Sequence, residues 1–360
     1  MLTYLWNRLL GHERLKQRAD QLFLSGEFER ARSEYFRARS VLTAGDLRRI
    51  PLDGLIGTCE RLSRPGEASD GIRETTEDDF VPGLDELFEL AIGDKAEPRA
   101  ESYRILGRNF RAGYVALVQG TADRAVALLR KASSESPSSF VVHLELGRAL
   151  SMAGRFEEAH ECLQRAQRSK PDDPEGIVLL AAVSIARGRF EEARGKLTEL
   201  INRGERSPTS IFLLAKALSG LGRADEALES FRETVKLEPT FHEAFFEAGR
   251  LKLREGQIEA AFELLNRACA LAPDEIPYNR EVAELVLSYR LDEEAGLAAC
   301  DRLMVTDEEN RWQYLSWIAE LYVRRGWRRE ARDPLEKALG LLPAGKEMER
   351  LEIERRLASL

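Results

Sequence analysis

The apolar residues of this chain return on a grid instead of in blocks. Within residues 140–173, FVVHLELGRALSMAGRFEEAHECLQRAQRSKPDD, Gly147 is followed by Ala159, Ala166 and Pro171, with Leu146, Leu150, Phe156 and Leu163 as bulky positions between them. One period of 34 residues upstream, the grid falls on Gly113, Ala125, Ala132 and Pro137. Downstream, past one weaker copy, it falls on Ala215, Ala227, Thr234 and Pro239, and then on Gly249, Ala261, Ala268 and Pro273. A fixed period of this size marks a solenoid, in which each repeat buries its apolar face against its neighbours.

Inside each repeat the spacing predicts two amphipathic helices. For residues 140–173 they cover 141–153 (helix A) and 157–169 (helix B), and Gly154 takes the left-handed position that ends the first. Gly147 and Ala159 are small so that the paired helices approach closely. A leucine at Ala159 is expected to overpack that contact at a cost of about 1–3 kcal/mol. Pro171 ends helix B and turns the chain into the next repeat.

Read in order, residues 1–11 (MLTYLWNRLLG) form an amphipathic segment with Leu2, Leu5, Trp6, Leu9 and Leu10 on one side. It suits either a cap on the first repeat or an interfacial helix that touches a membrane or a partner. Residues 12–45 fit the grid, through Ala19, Gly26, Phe28, Ala31, Tyr35 and Ala38. The register fails over 46–105, which reads as one degenerate repeat split by an acidic loop at 64–82. From 106 to 309 six repeats run in tandem, with Arg290 at the turn where the others place glycine. A last repeat occupies 312–345. The tail, 346–360, predicts a capping helix that closes the core through Met348, Leu351 and Leu357.

The grid resembles the tetratricopeptide repeat (TPR) family, on Leu146, Gly147, Leu150, Gly154, Phe156, Ala159, Leu163, Ala166 and Pro171 and on Gly249, Gly256, Ala261, Ala268 and Pro273. The first aromatic of the family pattern is mostly replaced, by His143, Ile177, Ile211 and Phe245. The resemblance implies an all-α fold, a right-handed superhelix of about nine helix-turn-helix units with a C-terminal capping helix. It also implies a concave groove, lined by the A helices, that binds peptides or helices of other proteins. The carboxylate clamp of the chaperone-tail binders is missing.

The outward fifth, ninth and thirteenth positions of the repeats supply the candidate groove: Phe110, Tyr114, Leu144, Arg148, Met152, Phe212, Lys216, Phe246, Arg250 and Arg254. An apolar row beside basic residues predicts a partner that is partly hydrophobic and partly acidic. The other reading makes the apolar residues inter-repeat core and the basic ones a solvated face.

Charged residues make up 32% of the chain, as expected when every helix keeps one face in water. The net charge of -8 and the pI near 5.4 argue against nucleic acid as a partner. Cys59, Cys162, Cys269 and Cys300 stand singly, without metal-ligand spacing, and His12, His143, His160 and His242 fall on structural positions. No nucleophile, phosphate-loop or zinc motif occurs. The expectation is a non-catalytic scaffold or adaptor without cofactor or metal, cytoplasmic and bacterial, with no signal peptide. Two alternatives are a membrane-associated assembly factor recruited through 1–11 and a regulatory or self-associating subunit of an enzyme complex.

Overall fold

The computed structural model describes residues 84–92, 95 and 97–360, and every regular element among them is helical. The amphipathic segment 1–11, the repeat at 12–45, the first part of the degenerate repeat and the acidic loop 64–82 lie outside the described residues. None of the described helices is long and apolar enough to cross a membrane.

The described chain divides into two compact units, one ending at Arg206 and one spanning Ser207–Leu360. The first contains α1 (Leu84–Ile92), α2 (Glu97–Arg104), α3 (Arg108–Val118), α4 (Ala122–Glu135), α5 (Phe140–Met152), α6 (Phe156–Ser169), α7 (Pro174–Ala186) and α8 (Phe190–Asn202). The second contains α9 (Pro208–Gly220), α10 (Ala224–Leu237), α11 (His242–Arg254), α12 (Ile258–Leu271), α13 (Ile276–Tyr289) and α14 (Glu293–Thr306). After a 3-10 turn at Glu308–Asn310 it continues with α15 (Arg311–Arg324), α16 (Arg332–Leu341) and α17 (Glu347–Ser359).

Helix boundaries follow local chemistry. Asp173 caps α7 by accepting a hydrogen bond from the Gly176 amide at 2.9 Å, and Pro174 follows it in the first turn, where its missing amide costs nothing. Ser207 and Ser210 form a reciprocal capping box at the start of α9, ahead of a second first-turn proline. The α5–α6 turn places Gly154 at φ 72°, as the spacing predicted. Arg290 takes the same left-handed conformation at φ 54° without being glycine, so this turn keeps its geometry at a backbone cost of about 1–2 kcal/mol.

The small grid positions are there for a close approach. A Cβ on Gly147 would stand 2.6 Å from Cγ of Leu163, and one on Gly249 would stand 2.8 Å from Cγ of Leu265. Each B-helix leucine therefore fills the space that its A helix leaves empty. Ala159, Ala166, Ala261 and Ala268 are fully buried in the same contacts.

The capping helix differs from expectation. Ile353 of α17 is the residue buried against Leu315, Ala319, Leu335 and Ala338, with Leu357 packed beside it. Met348 and Leu351 remain 77% and 60% exposed. Helical phase explains the correction: Met348 and Leu351 precede Ile353 by five and two residues, offsets that turn them away from the face carrying Ile353 and Leu357. A second difference lies at α2, a helix at the end of the degenerate region that the grid does not predict.

Candidate functional site

The A helices of the first unit are α3, α5 and α7, and residues 95–103 lie across all three. The Tyr103 ring packs edge-on against Phe110 and Tyr114 of α3, with centroids 5.5 and 5.1 Å apart, while its hydroxyl donates to Glu145 of α5. Arg99 reaches the start of α7, 3.2 Å from the Asp173 carboxylate and 2.6 Å from that of Glu175. The Lys95 ammonium sits 4.7 Å above the Tyr103 ring. Arg99 and Tyr103 are spaced four apart on α2, which aligns them along one side of that helix, and Lys95 lies ahead of it.

Beneath this segment the charges are matched. Arg148 pairs with Glu175, and lies 3.3 Å from Glu145. Three carboxylates (Glu145, Asp173, Glu175) thus face three cations (Lys95, Arg99, Arg148). Burial alone would raise the Glu175 carboxyl, but Arg148, Arg99 and Lys95 overcome it and hold that carboxyl below the usual range. For Lys95 burial wins over Glu145 and Glu175, and its pKa is lowered. The network is tight but imperfect: Glu145 Oε2 and Arg148 Nε are buried and meet without hydrogen-bond geometry.

In the second unit the A helices are α9, α11, α13 and α15. Lys216 of α9 lies 3.3 Å from Glu247 of α11. Tyr278 of α13 stacks on Phe246 at 4.2 Å and shares a 3.0 Å hydrogen bond with His242. Burial raises the Tyr278 phenol, and the charges of Glu243, Glu275 and Glu247 raise it further. Glu243 is 4% exposed, and its Oε1 has no hydrogen-bond partner. Burial raises the Glu243 carboxyl against the pull of Lys216. Burial, then Glu243 and Asp274, push the Glu275 carboxyl up to about 7.

The ten residues expected to line the groove therefore separate into three groups. Phe110, Tyr114, Leu144 and Phe212 are buried core at 5% exposure or less, which corrects their reading as partner contacts. Phe212 packs on Phe231 and Phe241 of its own repeat, and in the first unit Tyr103 covers Phe110 and Tyr114. Arg148 and Lys216 are paired with the chain's own carboxylates. Met152 and Phe246 are half-buried, and Arg250 and Arg254 are exposed, Arg250 over the Phe246 ring and Arg254 bonded to Ser219 at 3.0 Å. The acidic residues fall outside the fifth, ninth and thirteenth positions that define the expected groove. A usable signal exists at other positions: Glu175 and Glu243 share the second place of a repeat, Glu145 and Glu247 the sixth, and Asp173 and Glu275 the last.

Residues 116–183 and 212–276 each match a tetratricopeptide repeat family profile. The chain carries tetratricopeptide repeats over these residues. Among curated proteins none matches this TPR chain by sequence. Solved structures that resemble it include a TPR protein from Parabacteroides merdae, 15% identical over 72% of this chain and 98% of that one, with a TM-score of 0.46. PilF of Pseudomonas aeruginosa is 18% identical over 60% and 96%, with a TM-score of 0.47. The C-terminal part of a TPR protein from Cytophaga hutchinsonii is 11% identical over 66% and 96%, also at 0.47. Likenesses at this level add nothing to the two profile matches and the repeated helix pairs.

TPR repeats are generally non-catalytic scaffolds that bind peptides or proteins. Among the described residues, His143 bonds the Pro137 carbonyl at 2.7 Å and His160 lies 3.3 Å from Glu192, both buried within the repeat packing. Burial pushes the Cys269 and Cys300 thiols up to about 12, away from the reactive thiolate form. No group of His, Cys, Asp and Glu among the described residues is placed to hold a metal ion. On the A-helix side of the second unit, α13, α15 and α17 enclose a groove of about 550 Å³, lined by Leu287, Trp312, Trp317, Met348, Ile353 and Arg356 among others.

Proposed function

We propose that this TPR protein is a non-catalytic scaffold that docks protein partners on its A-helix face, in the assembly or regulation of a multiprotein complex. The observation that supports this is the seating of residues 95–103 across α3, α5 and α7: an aromatic anchor, two cations and a helical path fit the side of the repeats where a partner helix would lie. This face offers ring surface and hydrogen-bonding charge together, the combination that gives interfaces both affinity and register.

The acidic and hydrophobic partner expected from the sequence now rests on Arg250 and Arg254 beside Phe246, because Arg148 and Lys216 are already paired within the chain. Affinity capture with wild-type protein and with Arg250→Glu/Arg254→Glu tests the reading. The expected result is loss of the captured partner with helicity unchanged. Full capture by the variant would remove this face as the docking site.

A further inference from the structure

In the first unit the A-helix face holds three carboxylates, and the chain supplies the cations that satisfy them. Arg148 provides one charge, and the overlying segment provides two more through Lys95 and Arg99. The second unit uses acids at the same repeat positions, the second, the sixth and the last, in Glu243, Glu247 and Glu275. Its cation Lys216 stands at the ninth position, as Arg148 does. Here the acids fall on the repeat after the cation, whereas in the first unit they straddle two repeats, so the sites share their grid positions without being superimposable copies.

The charge count differs in one respect. Among the described residues Lys216 is the one lysine or arginine paired with Glu243, Glu247 or Glu275, through its 3.3 Å contact with Glu247. His242 lies 3.5 Å from Glu243, but burial lowers its pKa to about 4, so it brings no charge near neutral pH. Among the described residues Glu243 and Glu275 are thus left without a lysine or arginine partner, the number of carboxylates that Lys95 and Arg99 serve in the first unit. Glu243 is buried with Oε1 unpartnered, a costly arrangement for a carboxylate unless a donor reaches it. Glu247 keeps a quarter of its side chain exposed, and Glu275 is half-buried, so the cluster can be approached from their side. Phe246, next to Glu247 in the chain, is stacked on the buried Tyr278 and keeps part of its ring exposed, where the first unit offers Phe110 and Tyr114 to Tyr103. The carboxylates do not converge as a metal-ligand group, which favours a bulky organic cation over an ion.

We infer that the A-helix face of the second unit, at Glu243, Glu247 and Glu275 beside Phe246, binds a basic, aromatic helical segment of a partner protein. Its pattern is that of Lys95, Arg99 and Tyr103, a cation, a second cation four residues on and an aromatic four beyond. The inference rests on the docking reading above and gives that site the chemistry of its partner. The partner's basic side chains meet the acids near the N-terminal ends of the A helices, and its acidic ones meet Arg250 and Arg254 further along α11.

The probe is a fluorescent peptide with this chain's own sequence over 92–107, titrated into the full-length protein and followed by anisotropy. The tethered copy holds the first-unit site at high effective concentration, so added peptide reports on the second. Saturable binding is expected, weakened at least tenfold in the Glu243→Gln/Glu275→Gln protein, at least tenfold when Lys95 and Arg99 of the peptide are alanine, and progressively by added salt. Glutamine keeps the side-chain shape, and an unchanged far-UV circular dichroism spectrum of the second-unit variant shows that the loss is one of charge. Absence of binding, or binding indifferent to either pair of substitutions, overturns the inference. So does partner capture that is lost in Arg250→Glu/Arg254→Glu but retained in Glu243→Gln/Glu275→Gln, a result that leaves the docking reading standing. Concentration-dependent self-association that disappears in Lys95→Ala/Arg99→Ala makes the occupant a second copy of this chain and overturns the separate partner.

Discussion

The two units carry the same repeat and put it to different electrostatic ends. In the first, Glu145 is fully buried beneath Tyr103 and Arg148, and the A-helix face is closed by a segment from just ahead of the repeats. In the second, the sixth-position acid Glu247 makes one half-exposed pair with Lys216, and its neighbours Glu243 and Glu275 hold protons more readily than ordinary carboxyls do. Grid residues set the helix pairs in both. The off-grid acids take their meaning from what lies over them, so one position can be a structural strut in one repeat and a candidate contact in another.

The comparison breaks most sharply at the sixth position. Glu145→Ala is expected to destabilise the protein by about 1–3 kcal/mol, because it leaves the buried Tyr103 hydroxyl without its acceptor, while Arg148 keeps Glu175. Glu247→Ala, which loses only the half-exposed pair with Lys216, should cost no more than about 1 kcal/mol. Denaturant unfolding of both variants measures the difference, and equal losses would mean that the segment at 95–103 does not seal the first unit. At Gly147 the added methyl of Gly147→Ala meets Leu163, and overpacking should outweigh the helix-propensity gain, for a net loss of about 1–3 kcal/mol in a thermal or chemical melt. Ala215 occupies the same grid place in the second unit, with Phe231 where Leu163 stands, so the methyl is tolerated there because its neighbour differs.

Arg290→Gly should stabilise the second unit by about 1 kcal/mol, since it relieves a left-handed residue that the other turns fill with glycine. A melt no higher than wild type would show that the arginine side chain offsets its backbone cost. The smallest effect is in the pH profile. The Glu275 carboxyl is raised in the folded state to about 7, so its contribution is fully present below the ordinary carboxyl range and is lost as pH rises through 7. His242, lowered to about 4 by burial, works oppositely: its contribution is present above the ordinary histidine range and is lost as pH falls toward 4. The informative quantity is therefore the difference between wild type and Glu275→Gln, whose melting temperature should gain on wild type between pH 5 and pH 8, a range chosen to bracket 7. A constant difference across that range would place Glu275 in ordinary solvent.

The sequence by itself determined the helix pairs, their period and the small residues at their contacts. Those features depend on neighbours within one or two repeats, and a residue such as Gly147 or Pro171 reads the same wherever the repeat stands. It also showed the fifth and ninth positions facing away from their own helix pair, but not whether they meet water. That depended on the segment ahead of the tandem repeats, where Tyr103 and Arg99 reach residues 42 and 76 positions away. Tertiary structure alone decided that Tyr114 and Leu144 are core, that Arg148 is a strut, and that Ile353, not Met348 or Leu351, closes the C-terminal end. The physical reason is range: periodicity encodes packing between adjacent helices, whereas the charge left over on a surface depends on every group that approaches it, however distant in the chain.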